Sequence, residues 1–247
     1  MIEDYNSYHF NFKENIKYLV QGALIASVFG ILFYQSIFGI IFLSPIIFFY
    51  CKAKRKQQMK NRKWQLNLEF RDGILSVSAA LNAGYSAEHA FEEAWKDLRL
   101  LYKKNSLIMK EFSYLINQIR MNITVEKALS DFGERTGIED IISFAEIFST
   151  AKRTGGDLIK VIKSTSNAIN DKIEVKREII TLITSKKYEA NIMNLIPIGI
   201  LCYLYFSSPG FLDPLYHNLF GVIVMTLLLG CYLGAFLLSE KIMAIEV

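Results

Sequence analysis

No charged side chain occurs between Tyr18 and Cys51, and two further charge-free stretches, Ala190 to Phe206 and Leu219 to Ser239, lie toward the other end of the chain. A helix needs about 20 mainly apolar residues to cross the hydrocarbon of a bilayer, so these blocks point to membrane spans. The first block is too long for one crossing. It predicts a helical hairpin at 18–51, with one span near Tyr18 to Tyr34, a polar break at Gln35-Ser36 and a shorter return near Ile37 to Cys51. A second hairpin is predicted at 190–239. Its connection, 207–218, begins Ser207-Ser208-Pro209-Gly210, a strong turn signal.

Charge then orients the hairpins. Residues 52–63, KAKRKQQMKNRK, hold seven Lys/Arg and no acid, whereas 207–218 hold no Lys/Arg. Positive charge collects on the cytoplasmic side, so the collar 52–63 is expected inside and the loop 207–218 outside. The N-terminal segment 1–17, the central region 64–189 and the tail 240–247 are then cytoplasmic, in a multi-pass protein of the cell membrane with both termini inside. Segment 1–17 is mixed in charge and no small-residue cleavage site follows the apolar run, so a cleaved secretory signal is not expected.

The chain carries 28 Lys/Arg against 24 Asp/Glu, yet 64–189 hold 18 of each. The positive excess therefore belongs to the collar. Beside a membrane span such a run is accounted for by attraction to anionic lipid heads, and nucleic acid is not an expected partner. Cys51, Cys202 and Cys231 lie in or at the edge of apolar runs and are read as packed or lipid-facing thiols.

The central region reads as helices throughout. It has no Pro between Lys52 and Ile196 and no sustained alternation of the kind a strand requires. Apolar spacing predicts a first helix over about Gln65 to Asn82, ended by Gly84, and a second capped by Ser86. A third starts at Asn105 or Ser106. A short fourth runs from Thr124 to Phe132, and a fifth carries Ile141 to Phe148 and ends at Thr154, before Gly155-Gly156. Asp157 caps a long sixth helix bearing Leu158, Ile162, Ile169, Ile173, Ile180 and Ile183, which continues toward the third crossing. Pro197 is its expected kink. Asn191 and Asn194 beside it either satisfy backbone freed there or bond to another transmembrane helix. The fold class is thus all-α: an integral membrane protein with a six-helix cytoplasmic bundle between two transmembrane hairpins.

Motifs for chemistry are few. No P-loop is present, and Thr154-Gly155-Gly156-Asp157 lacks the lysine and the length to hold phosphates. GYSAE at 84–88 lacks the second glycine of a nucleophile elbow. His9, His89 and His217 fall in three regions separated by the predicted membrane. Asp131, Glu134, Glu139 and Asp140 do not follow the EF-hand order, and read as a solvated or docking face before a cation site. No catalytic residue, cofactor or metal is expected. Small residues at Gly22, Ala26 and Gly30, and at Gly230 and Gly234, form grooves for helix packing, within the chain by default and otherwise against another chain or a pilin.

AALNAGYSAEHAFEEA (79–94), IFSTAKRTGGDLIKVI (147–162), the Pro-bearing crossing and the terminal IMAIEV (242–247), in this order over nearly the whole chain, resemble the type II secretion system F-domain family. The similarity is greatest to the tight-adherence (Tad/Flp) pilus platform proteins, since the chain has room for one such domain rather than two. The resemblance implies a non-enzymatic inner-membrane platform that couples a cytoplasmic secretion ATPase to pilin assembly. It also implies a second F-domain platform protein, pilin subunits and membrane lipids as partners, in a homo- or hetero-oligomer. Gly84, Gly155, Gly156 and Asp157 would then be helix joints that pass motion from the ATPase to the membrane. The other reading is a membrane signalling or receptor-like protein that relays through the long helix from Asp157.

Overall fold

The computed structural model describes residues 5, 10, 12–36, 39, 41, 43–154, 157–208, 210–216 and 218–243. Among them the chain is 88% helical and has no strand. The helices are α1 (Phe12–Tyr34), α2 (Ser44–Asn82), α3 (Ala87–Leu101), α4 (Leu107–Arg120), α5 (Val125–Thr136), α6 (Glu139–Thr154), α7 (Leu158–Ser207), the single turn α8 (Asp213–Tyr216) and α9 (Leu219–Met243).

Local chemistry sets most of these boundaries. Gly84 ends α2 with φ +92°, a left-handed conformation that costs an L side chain about 1–2 kcal/mol. Ser86 then caps α3, its Oγ accepting the His89 N–H. Asp157 does the same for α7, where Oδ1 accepts the Lys160 N–H at 3.0 Å. Ser106 precedes α4 but its side chain makes no cap bond. The carboxylate of Glu69, from α2, takes the Ile108 N–H instead at 2.9 Å.

Two boundaries depart from the sequence expectation. The helix expected from about Gln65 already begins at Ser44, because the collar's Lys, Arg, Gln and Met are good helix formers with no Gly or Pro to stop them. The collar is therefore mid-helix rather than a separate segment. The helix expected to end at Phe132 continues to Thr136 and stops at Gly137, φ +57°. Gly133 lies inside it because α6 passes so close that a Cβ there would stand 3.2 Å from Ile142 Cα.

Packing divides the chain into two units: residues 1–9 with 55–175, and 10–54 with 176–247. The core of the helical unit is aromatic. Phe70 meets Phe132 and Phe144 edge-on, with ring centroids 5.8 and 5.6 Å apart, and Phe91 meets Phe148 at 6.1 Å. Leu66, Ile74, Leu98, Ile108, Leu115 and Leu129 fill the space between them, all fully buried. From α7, only Ile162, Ser166, Ile169 and Ile173 are buried.

In the other unit Ala26, Leu32, Phe33, Met225 and Leu229 form the buried cluster with Leu43, Leu212 and Tyr216. The Tyr216 hydroxyl donates to the Leu32 carbonyl at 2.6 Å. Among the described residues three helices are long and apolar enough to cross a membrane, Phe12–Tyr34, Leu158–Ser207 and Phe220–Ile242, the composition of a membrane protein. The expected return crossing, Ile37 to Cys51, is not among them. Its apolar run is short and passes into the basic collar within one helix, and residues 37, 38, 40 and 42 lie outside the described residues.

Candidate functional site

The helical unit joins its elements through carboxylates placed inside or at the edge of the core. Asp140, in the first turn of α6, is buried and accepts hydrogen bonds from Asn67 Nδ2 of α2 and Lys172 Nζ of α7, both at 2.7 Å. The ammonium of Lys172 is half exposed, and the hydrogen bond to Asp140, opposed by partial burial and aided by the charges of Asp140 and Glu139, holds its pKa above the ordinary lysine value. Asp140 thus links α6 to both α2 and α7, and Ser166 Oγ of α7 donates to the Ile74 carbonyl of α2 at 3.4 Å.

A second network is centred on Glu111 of α4, which is 4% exposed. Its Oε2 accepts from Arg135 Nη2 at 2.8 Å, and Arg135 Nε also reaches Asp131 at 2.9 Å. The guanidinium of Arg135 lies over the Tyr114 ring, 4.9 Å from its centroid. Its pKa is held above the usual arginine range: burial, the largest influence, works against the charge, but the hydrogen bonds and charges of Glu111 and Asp131 outweigh it. A third tie joins the Tyr102 hydroxyl to Asp72, where burial first, and then the hydrogen bond and charge of Asp72, push the phenol pKa well above its ordinary value.

The acidic group singled out in the sequence does not converge. Asp131 and Asp140 belong to different ion-pair networks, Glu139 is 87% exposed, and Glu134 accepts from Ser130 on the face of α5. No cluster of three or more His, Cys, Asp or Glu suited to a metal is found among the described residues. Glu134 does line a groove of about 390 Å³ between α5 and α6, together with Glu126, Ile142, Ala145, Glu146 and Arg153.

The joint residues are distributed over two connections. Gly84 has open space around it, so only its backbone conformation requires glycine. Gly155 and Gly156 lie outside the described residues, immediately before the cap at Asp157.

The predicted membrane residues also separate. Gly22, Ala26 and Gly30 are buried in the chain's own packing, and a Cβ on Gly22 would stand 3.2 Å from Ile47 Cγ2. Gly230 and Gly234 face open space. Helix α7 continues through Pro197. The bond between helices near it uses the backbone of Asn194, whose carbonyl accepts from the Tyr232 hydroxyl at 3.0 Å, while Asn191 is exposed. His89 is a surface residue 3.6 Å from Glu92, and His9 and His217 lie outside the described residues.

Sequence reasoning missed Tyr5, Glu69, Glu111, Arg135 and Lys172. A signal was present for Glu111: positions 108, 111, 112 and 115 fall on one helical face, so a glutamate stands among Ile108, Phe112 and Leu115 and needs a partner. Compared with family models, curated proteins and solved structures, the chain matches none.

Proposed function

We propose that this chain is a non-enzymatic inner-membrane platform of a type II secretion-like, tight-adherence pilus machine, with the helical unit in the cytoplasm as a six-helix F domain. The observation that carries the reading is α7. Through Ile162, Ile169, Ile173 and Lys172 it is bound into the helical unit, and the same helix contains a stretch apolar enough to cross a bilayer. An element of that kind suits transmission of movement better than it suits catalysis.

In this reading a cytoplasmic secretion ATPase docks on the helical unit, and its nucleotide cycle shifts the helices joined at Gly84 and at 155–157. Helix α7 carries the displacement into the membrane, where pilin subunits and a second F-domain protein pack. The collar holds anionic lipid heads, and the short return leg 37–51 completes the first hairpin with both termini inside.

The reading is tested by complementation in a host deleted for the chain. Replacing Gly155 and Gly156 together by Val is expected to abolish piliation while leaving the protein in the membrane fraction, and a reporter fused at Glu126 is expected on the cytoplasmic side. Normal piliation in the double variant removes the joint from the mechanism. A reporter at Glu126 on the outer side refutes the topology and the function built on it.

A further inference from the structure

Helices α5 and α6 leave a trough between them on the surface of the helical unit. Glu126, Ser130 and Glu134 follow at four-residue steps and line one wall from α5, while Ile142, Glu146, Ser149 and Arg153 line the other from α6. Of the lining residues only Ala145 is buried. The two walls are held at close approach, since a Cβ on Gly133 would stand 3.2 Å from the Ile142 Cα, so the trough is preformed.

Its charges are unevenly met by the chain itself. Lys152 pairs with Glu126 at 3.1 Å. Glu134 accepts from the Ser130 hydroxyl at 3.3 Å, and among the described residues neither Glu134 nor Glu146 has a cation at ion-pair distance, nor Arg153 an anion. Arg153 lies at the end marked by the Lys152 to Glu126 pair, so the trough carries two unmatched carboxylates and, toward that end, one unmatched guanidinium.

Small molecules are usually held in enclosed, mainly apolar cavities, whereas these walls are exposed and acidic. They also repel a polyanion. From Glu126 to Glu134 the trough runs about 12 Å at about 1.5 Å per residue, the length of roughly two helical turns. An opposed amphipathic helix fits such a groove by burying its apolar stripe and setting its flanking charges against the walls.

We propose that the α5–α6 trough is a docking site for a basic amphipathic helix of a protein partner. An apolar side chain seats on Ile142 and Ala145, and lysine or arginine beside it meets Glu134 and Glu146. Arg153 gives the occupant a direction, because it favours the negative C-terminal end of a helix. The inference does not depend on the pilus reading.

The test uses the full chain in phosphatidylcholine nanodiscs, with empty nanodiscs as reference, and a fluorescent helical peptide, KLAKKLAKKLAKKL. Saturable binding to the chain is expected, at least about tenfold tighter than that of the same peptide with every lysine replaced by glutamate. Glu134→Gln and Glu146→Gln together should weaken binding about tenfold, within the range for two exposed ion pairs. Asp171→Asn, which removes an exposed charge from α7, should leave it unchanged. Ser149→Trp fills the trough without altering its charge and should also abolish binding; Ser130→Trp, on the opposite wall, replaces it if its melting temperature is lowered. The proposal is overturned by absence of saturable binding, by equal binding of the glutamate peptide, by a double variant within about twofold of the unaltered chain, by equal weakening in Asp171→Asn, or by a tryptophan variant that binds normally.

Discussion

Replacing Lys172 with Met removes the ammonium that Asp140 accepts at 2.7 Å but keeps the aliphatic stem of the side chain. Breaking a fully buried ion pair costs about 3–5 kcal/mol, and an exposed pair is worth about 0.2–1 kcal/mol. This pair falls between those limits, since the Asp140 side chain is 10% exposed and that of Lys172 is 53% exposed. Water screens the ammonium, and Asn67 remains to bond the carboxylate, so the expected cost is about 1–2 kcal/mol. For a helical unit of this size that lowers the melting temperature by roughly 4–10 °C.

The assay is a double-mutant cycle on the purified chain in detergent, with Lys172→Met, Asp140→Asn and both together, followed by thermal melts and pulse proteolysis. The coupling between the two positions should be about 1 kcal/mol, because neutralising both partners removes the charge that either single change leaves unbalanced. If the proposed platform function holds, piliation should fall in the single variants and recover in part in the double. A coupling below about 0.3 kcal/mol, the level of additivity for unconnected sites, would refute the claim that this tie fastens α7.

Three further outcomes are expected. Phe70→Ala deletes a fully buried ring with two edge-on partners and should cost about 3–5 kcal/mol by denaturant titration, against about 0.5 kcal/mol or less for Leu100→Ala, which is 87% exposed. Gly84→Val should cost about 1–2 kcal/mol through its backbone alone, with Gly84→Asn milder, since no atom lies within 4 Å of a Cβ there. At high pH, Tyr5 and Tyr102 should ionise only well above the ordinary tyrosine range, both chiefly through burial and then through the adjacent carboxylates. A raised folded pKa means that their stabilisation is complete below about pH 10, the unfolded value, and is lost as the pH climbs through the folded values. Tyrosinate absorbance and the helical signal in circular dichroism should therefore rise and fall together above that pH, and titration of all tyrosines near pH 10 in a folded protein would contradict it.

Much of the helical unit was legible because its determinants are local. Gly84, Ser86 and Asp157 mark helix ends by backbone strain or by an oxygen three residues from an unpaired N–H, and neither depends on the rest of the fold. The apolar spacing of Leu66, Phe70, Ile74 and Val77 and of Ile162, Ile169 and Ile173 identified buried faces, since 3.6 residues per turn relates sequence to side directly. The same spacing nominated Ile180, which is 43% exposed, because periodicity tells which face is apolar but not whether another element covers it.

By itself, then, the order of residues determined that the chain is helical, where three of its stretches become apolar enough for a bilayer, and how several helices begin and end. Only the tertiary structure decided which polar groups meet: that Glu69 caps a helix nearly forty positions away, that Asp140 binds Asn67 and Lys172, and that Tyr5 reaches Glu111. The physical reason is range. Propensity and capping act within a turn or two, whereas a carboxylate in an apolar interior must take whatever donor the packing brings to it, and sequence separation places no limit on that choice.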